Sequence, residues 1–333
     1  MTADLTKPAP PRSRRRWLSY SLRTLLLVTA AVAVWLGVQV NRATNQRRAV
    51  SMVKERGGTV RYAHQSRTQP VRLTDFYSSS TFDPDAPPPG PDWLRQRLGE
   101  EYFQDVLYVS LADRVASEGD ADANLIAALP KLEYLDMGFC DLTDEALREL
   151  GRIRTLRILR VDRNNDLSDD GLRHLAQCKS LESLNLNGID GIRGPGLEHL
   201  SNLNSLKELD LQYVPLDCDW LKGLAVLPLE KLMLSKTPLE DAHLAHVGQI
   251  TSLVILGIDR TKVTAAGFAH LTRLKSLQQL YVNETVALEG IEHLRQLPSL
   301  NHLGVETKSP DNPDEAILQR LRQALPGCTV QAL

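Results

Sequence analysis

Five histidines recur in matching settings: GLRHL from 171, GLEHL from 196, HLAHV from 243, GFAHL from 267 and GIEHL from 290. Imidazole ligates metals and moves protons near neutral pH, so His174, His199, His246, His270 and His293 are the first residues to weigh as chemistry. A zinc site needs nitrogens about 2.0–2.1 Å from one ion. Helices with side chains are about 10 Å across, so equivalent histidines on successive helices are poorly placed to converge. The five fall sixteen to eighteen residues after a recurring leucine, and Glu149 and Gly223 fill the same column elsewhere. They read as consensus residues of a repeat, and no metal site is assigned to them.

The other reactive residue types give no constellation. Cys140, Cys178, Cys218 and Cys328 lie far apart without a C-x-x-C pair, which points to buried free thiols. No G-x-S-x-G, Walker-type loop, H-E-x-x-H or dinucleotide fingerprint stands in a usable context. The expectation is therefore a non-catalytic protein with no catalytic residue, no cofactor and no metal.

The elements that position these residues form a repeat. Written from the first leucine, the units read LEYLDMGFC (132), LRILRVDRN (156), LESLNLNGI (181), LKELDLQYV (206), LEKLMLSKT (229), LVILGIDRT (253), LQQLYVNET (277) and LNHLGVETK (300). Eight units of the form L-x-x-L-x-[L/V/I/M], 23 to 25 residues apart, are a far stronger signal than any short motif. Each unit has a strand half and a helical half. LTDEALREL, LSDDGLRHL and LEDAHLAHV place caps and acids in a first turn, and leucines three apart, such as Leu172 and Leu175, face a core. One strand and one helix cannot bury that face alone, whereas stacked units can. The predicted fold is α/β, a solenoid with parallel strands on the concave face and helices on the convex face.

This pattern resembles the leucine-rich repeat family over residues 132 to about 308. LTDEAL, LSDDGL and Thr at the ninth place (Thr237, Thr261, Thr285) are similar to its cysteine-containing subclass, whose ninth-place Cys is matched by Cys140. The sequence departs from it at Ile189 and Val214, and Gly194-Pro195-Gly196 is expected to distort one helix. The resemblance extends to bacterial-type proteins with an N-terminal membrane anchor.

Such a fold offers a wide strand face, fed by the x positions because strand residues alternate between core and solvent. The middle column contributes Asp136, Arg160, Asn185, Asp210 and Tyr281. Beside it run Asp162, Asn187, Gln212, Asp259, Asn283 and Glu306, with Arg163, Tyr213, Arg260 and Phe139 at the edge. This polar lattice of mixed charge, dotted with Tyr and Arg, suits a protein partner best. A glycan stacked on Tyr213 and Tyr281 is the alternative, and a structural spacer a third.

Residues 24 to 40, TLLLVTAAVAVWLGVQV, carry no charge. At about 1.5 Å per residue they cover roughly 26 Å, close to the ~30 Å hydrocarbon core once the preceding apolar residues are added. The run ends without a small-x-small cleavage site, which favours an uncleaved signal anchor with Trp17 and Tyr20 at the interface. The denser basic block precedes the span, so the amino terminus is placed in the cytoplasm and the repeats outside it. Residues 1 to 56 hold eleven Lys and Arg against two acids, a charge of +9. The whole chain stands at −2, which leaves −11 for residues 57 to 333. An acidic body repels phosphates, so no nucleic acid partner is expected.

The expected organisation is a basic cytoplasmic tail (1–17), a transmembrane helix (18–40), and a juxtamembrane helix with a short strand (41–65). A Pro/Ser-rich linker (66–91) follows, then an N-terminal cap with VLYVSL as candidate first repeat (92–131). Eight repeats (132–308) and a C-terminal cap (309–333) complete it. Trp93, Leu94 and Leu98 are expected to form the apolar face that covers the first layer.

Overall fold

The computed structural model describes residues 22–67, 81–111, 118–307 and 315–333. The basic tail with Trp17 and Tyr20, and the Ser-rich part of the 66–91 segment, lie outside these residues. The chain divides into two units, Met1–Asn41 and Arg42–Leu333.

In the first unit, helix α1 begins at Leu22 and runs on to Glu55. Ala, Leu and Val fill it without a proline, so nothing interrupts the ladder. Between Leu25 and Val40 its apolar side chains are exposed on every side, Leu27 at 70%, Val34 at 68% and Trp35 at 59%. Arg23–Glu55 is long and apolar enough to cross a membrane.

In the second unit all described strands form a single eleven-stranded sheet in chain order. β3 (Tyr134–Asp136), β4 (Ile158–Arg160), β5 (Ser183–Asn185), β6 (Glu208–Asp210), β7 (Lys231–Met233), β8 (Ile255–Gly257), β9 (Gln279–Asn283) and β10 (His302–Glu306) are parallel neighbours. Leu135, Leu159, Leu184, Leu209, Leu232, Leu256, Leu280 and Leu303 stand opposite one another along this ladder, each no more than 1% exposed. Strands pack about 4.8 Å apart while helices need about 10 Å, so the strand side is the shorter, concave one.

The outer arcs are less uniform than the periodicity suggests. α4 (Asp144–Leu150), α5 (Asp169–Leu172) and α6 (Asp241–Val247) are α-helical, but Pro195–Asn202, Cys218–Val226 and Ala265–Arg273 are 3₁₀ helices. A 3₁₀ turn rises about 2.0 Å per residue, so it spans the same width with fewer residues. Gly194, at φ +132, starts the arc that the Gly-Pro-Gly motif was expected to distort.

Two devices lock unit to unit. Asn164, fully buried, accepts the Cys140 and Leu142 N–H groups and donates to the Met137 and Val161 carbonyls, so one side chain replaces a missing turn of ladder. On the outer side, a first-turn aspartate of one helix grips the cap residue of the next. Asp144 accepts from Ser168 N and Oγ at 2.8 and 2.6 Å, and Asp241 from Thr264 N and Oγ1 at 2.7 and 2.6 Å. Asp120 holds Thr143 in the same way. The gripped hydroxyl in turn accepts an amide two residues on, that of Asp170 for Ser168 and Ala266 for Thr264.

The caps recruit more chain than expected. The 42–55 part of α1 belongs to the core of this unit, with Ala49 and Val53 fully buried. β1 (Thr59–Tyr62) pairs antiparallel with β2 (Val106–Ser110), which itself runs parallel to β3. Arg56 bridges Glu118 at 2.6 Å, and Gln46 donates to the Gln104 carbonyl. By contrast α2 (Asp92–Leu98) buries none of its residues; Trp93 is 64% and Leu98 48% exposed. The cover is instead supplied by α1 and by Ala123 and Ile126 of α3 (Asp120–Ala127). At the far end the helix Glu315–Ala324 buries Leu318 and Leu321, and β11 (Thr329–Ala332) extends the sheet.

Candidate functional site

Strand alternation turns the leucines inward and delivers the intervening residues to the concave face, one set per strand. The middle-column Asp and Asn side chains are tied to their own backbone: Asp136 accepts from Gly138 N, Asn185 from Asn187 N and Asp210 from Gln212 N. The same brace in three units fixes each side chain two residues ahead of itself. Asn185 Nδ2 donates to Asp162 at 3.1 Å, and Arg160 reaches Asp136 at 3.3 Å and Asp162 at 3.7 Å. Four residues read from the sequence, Asp136, Arg160, Asp162 and Asn185, are thus connected, and Asp210 shares a hollow with Arg160 and Asn185.

A hollow of about 260 Å³ opens beside them, lined by Arg160, Ser183, Asn185, Glu208, Asp210 and Lys231. Ser183, Glu208 and Lys231 were missed in the sequence because they occupy the third place of each unit. The alternation that exposes the fifth place exposes the third as well. At the second place Arg157 joins Glu133 and Glu182, and Lys207 joins Glu230, so both cations of that column are paired within it.

Other residues from the sequence reading are less open than expected. Asp259, only 8% exposed, accepts from Ser235 Oγ. Arg260 pairs with Glu306, while its N–H donates to Asn283 Oδ1 at 2.7 Å. Arg260, Asn283 and Glu306 together line a second hollow of about 430 Å³ with Thr307. Tyr281 lies across Gly304, where a Cβ would meet its ring at 2.3 Å, and donates to Gln279. Met233 likewise lies across Gly257. The middle-column glycines make room for a large side chain from the preceding unit.

Burial raises the carboxyl pKa of Asp136 and of Asp210 above the ordinary carboxylate range. The folded state then holds these protons more tightly than the unfolded chain, so their contribution is favourable in acid and is lost as pH rises toward neutrality. Asp210→Asn keeps an acceptor for Gln212 and removes the buried charge. It is expected to raise the melting temperature at pH 7 by roughly 2–4 °C and to change little near pH 3. Thermal unfolding at the two pH values measures this, and an equal shift at both would contradict it.

Nucleophilic chemistry finds little support. Burial pushes the thiols of Cys178 and Cys328 up to about 11 and that of Cys218 up to about 12, so they are protonated near neutral pH. Among the described residues, no group of three or more His, Cys, Asp and Glu is placed to hold a metal ion. The pentad histidines sit on the outer arcs. What packs against the preceding unit is the backbone of His174 and His270, whose carbonyls approach Gly151 and Gly248 where a Cβ would stand at 2.3 Å. The glycine opening GLRHL and GFAHL is also explained. A Cβ on Gly171 would lie 2.2 Å from an Asp144 carboxylate oxygen, and one on Gly267 2.3 Å from that of Asp241.

Residues 128–151 and 152–176 each match the family model described as leucine rich repeat. No curated protein matches the chain. Among solved structures, an internalin from Listeria monocytogenes is similar at 18% identity and a TM-score of 0.43, over 63% of this chain. The chain spans 64% of that internalin. With its period, its parallel leucine ladder and the two matched units, the chain carries the fold of a leucine-rich-repeat solenoid.

Proposed function

We propose that this chain is a membrane-tethered, non-catalytic interaction module that binds a protein partner through its concave face. The observation that carries the reading is that face itself. It holds Asp136 buried and Asp210 half-buried, in settings where burial disfavours the charged carboxylate, next to Arg160 and Lys231. A surface built only for stability would gain by losing those acids. The exposed apolar flank of α1 supports a membrane anchor, since in water that much Leu and Val would drive aggregation. The basic block before it supports a cytoplasmic amino terminus and an extracytoplasmic repeat unit.

The glycan alternative needs the Tyr213 ring free for stacking, and two cations already lie against it. Affinity capture from detergent-solubilised membranes tests the leading reading, with the full chain as bait beside Arg160→Glu and Asp210→Lys forms. A bait starting at residue 92 would lack Ala49, Val53 and β1 and expose the first layer. Wild type is expected to retain a defined protein that both variants lose at least tenfold; equal recovery by all three rejects the concave face.

A further inference from the structure

The eighth place of each unit carries a second surface along the rim of the strand face. Phe139, Arg163, Tyr213, Lys236 and Arg260 occupy it with φ between +53° and +61°. This left-handed region costs about 1 kcal/mol for a residue with a Cβ, and glycine would adopt it freely. Gly188, at φ +66, is the one glycine in this run of six units, and it has a distinct use. The Arg163 stem lies across it, so close that a Cβ there would meet Arg163 Cδ at 2.7 Å. By crossing Gly188, the Arg163 guanidinium reaches the Tyr213 ring two units on, 5.0 Å from its centre, and it also stands 5.8 Å from the Phe139 ring. From the other side of the series Lys236 Nζ comes within 4.0 Å of the same Tyr213 centre and donates to its hydroxyl.

Two cations are thus gathered on one aromatic ring, and among the described residues neither has a carboxylate partner. Elsewhere on the strand face Arg157, Arg160, Lys207 and Arg260 are all paired. Like charges held together are unfavourable until an anion joins them. The two rings order the guanidinium without using its N–H groups, whose fork geometry suits a carboxylate. We infer that Arg163, Tyr213 and Lys236 form a receptor for Asp or Glu side chains of a protein partner, which rests on the concave-face reading and names the charge of the partner segment at this rim. The surroundings favour protein over a uniform polyanion. Asp162 lies one column inward and Asp210 in the middle column beyond it, and the body carries −11 overall, so a sulfated polysaccharide or anionic lipid would be repelled where a segment mixing acids and bases would fit.

Twelve-residue synthetic peptides of three classes, acidic, basic and mixed-charge, are titrated against the full chain, with heparin and phosphatidylglycerol vesicles as further probes. Mixed-charge peptides are expected to bind at least tenfold more tightly than basic ones, and more tightly than wholly acidic ones. Arg163→Gln with Lys236→Gln is expected to abolish the preference over basic peptides while the melting temperature stays unchanged. Gly188→Ala keeps both charges but displaces the Arg163 stem, and is expected to weaken acidic peptides about threefold to tenfold. If the paired glutamines leave the preference intact, or no peptide class is preferred, the receptor assignment fails. If heparin or the vesicles bind more tightly than every peptide and the paired glutamines remove that binding, the protein assignment fails instead. In each case the Arg160 and Asp210 capture result still decides the concave-face reading separately.

Discussion

Asn164→Leu is expected to lower the unfolding free energy by about 3–5 kcal/mol, the largest single-residue loss outside the leucine ladder. The side chain is fully buried and serves two N–H donors, Cys140 and Leu142, together with the Met137 and Val161 carbonyls. Leucine shares asparagine's heavy-atom count and branching but is bulkier, so some overpacking adds to the main loss, that of the orphaned backbone groups. Each buried unpartnered group costs about 1–3 kcal/mol, and the four are partly compensated by relaxation of the loop, which gives the stated range. Exposed Asn165, next in sequence, provides the control, since its change to Ala should stay within about 0.5 kcal/mol. Chemical denaturation of both variants, followed by circular dichroism, measures the difference. A loss under about 1 kcal/mol for Asn164→Leu would mean that the loop holds itself.

The legibility of the chain divides along the range of the interactions involved. The leucine ladder was readable because each unit repeats one local rule, and repetition of a rule averages out the local exceptions. The fifth-place and seventh-place columns followed from strand alternation alone. What alternation does not contain is which side chains then pair with the neighbouring unit. Asp144 and Asp241 read as helix-dipole acids in sequence, yet they reach across to Ser168 and Thr264, 24 and 23 residues away. The cap was harder still. AVSMV at 49–53 has an apolar face that any membrane-proximal helix would also show, and only the antiparallel pairing of β1 with β2 brings it against the first repeat. Trp93 and Leu98 misled for the converse reason, since amphipathic spacing states that a face could be buried without stating that a partner exists.

The aspartate grip also yields a coupling that the pentads themselves encode. Gly267→Ala is expected to cost about 2–3 kcal/mol, because the new Cβ would lie 2.3 Å from Asp241 Oδ1 and would push the carboxylate off Thr264. Asp241→Ala alone is expected to cost about 2 kcal/mol, since the Thr264 N–H and hydroxyl lose their acceptor and the helix start loosens. The two losses are the same loss reached by two routes, so they should not add. With Asp241 already truncated, the nearest obstacle to the Cβ is Leu244 Cδ1 at 3.0 Å, the end of a side chain that can turn aside. Alanine also favours a helical backbone over glycine by about 0.5–1 kcal/mol. The double variant is therefore expected to be no less stable than Asp241→Ala, an interaction of roughly 2 kcal/mol between residues 26 apart in sequence. A full penalty for Gly267→Ala in both backgrounds would show that backbone conformation, and not the neighbour's carboxylate, selects glycine at the head of GFAHL.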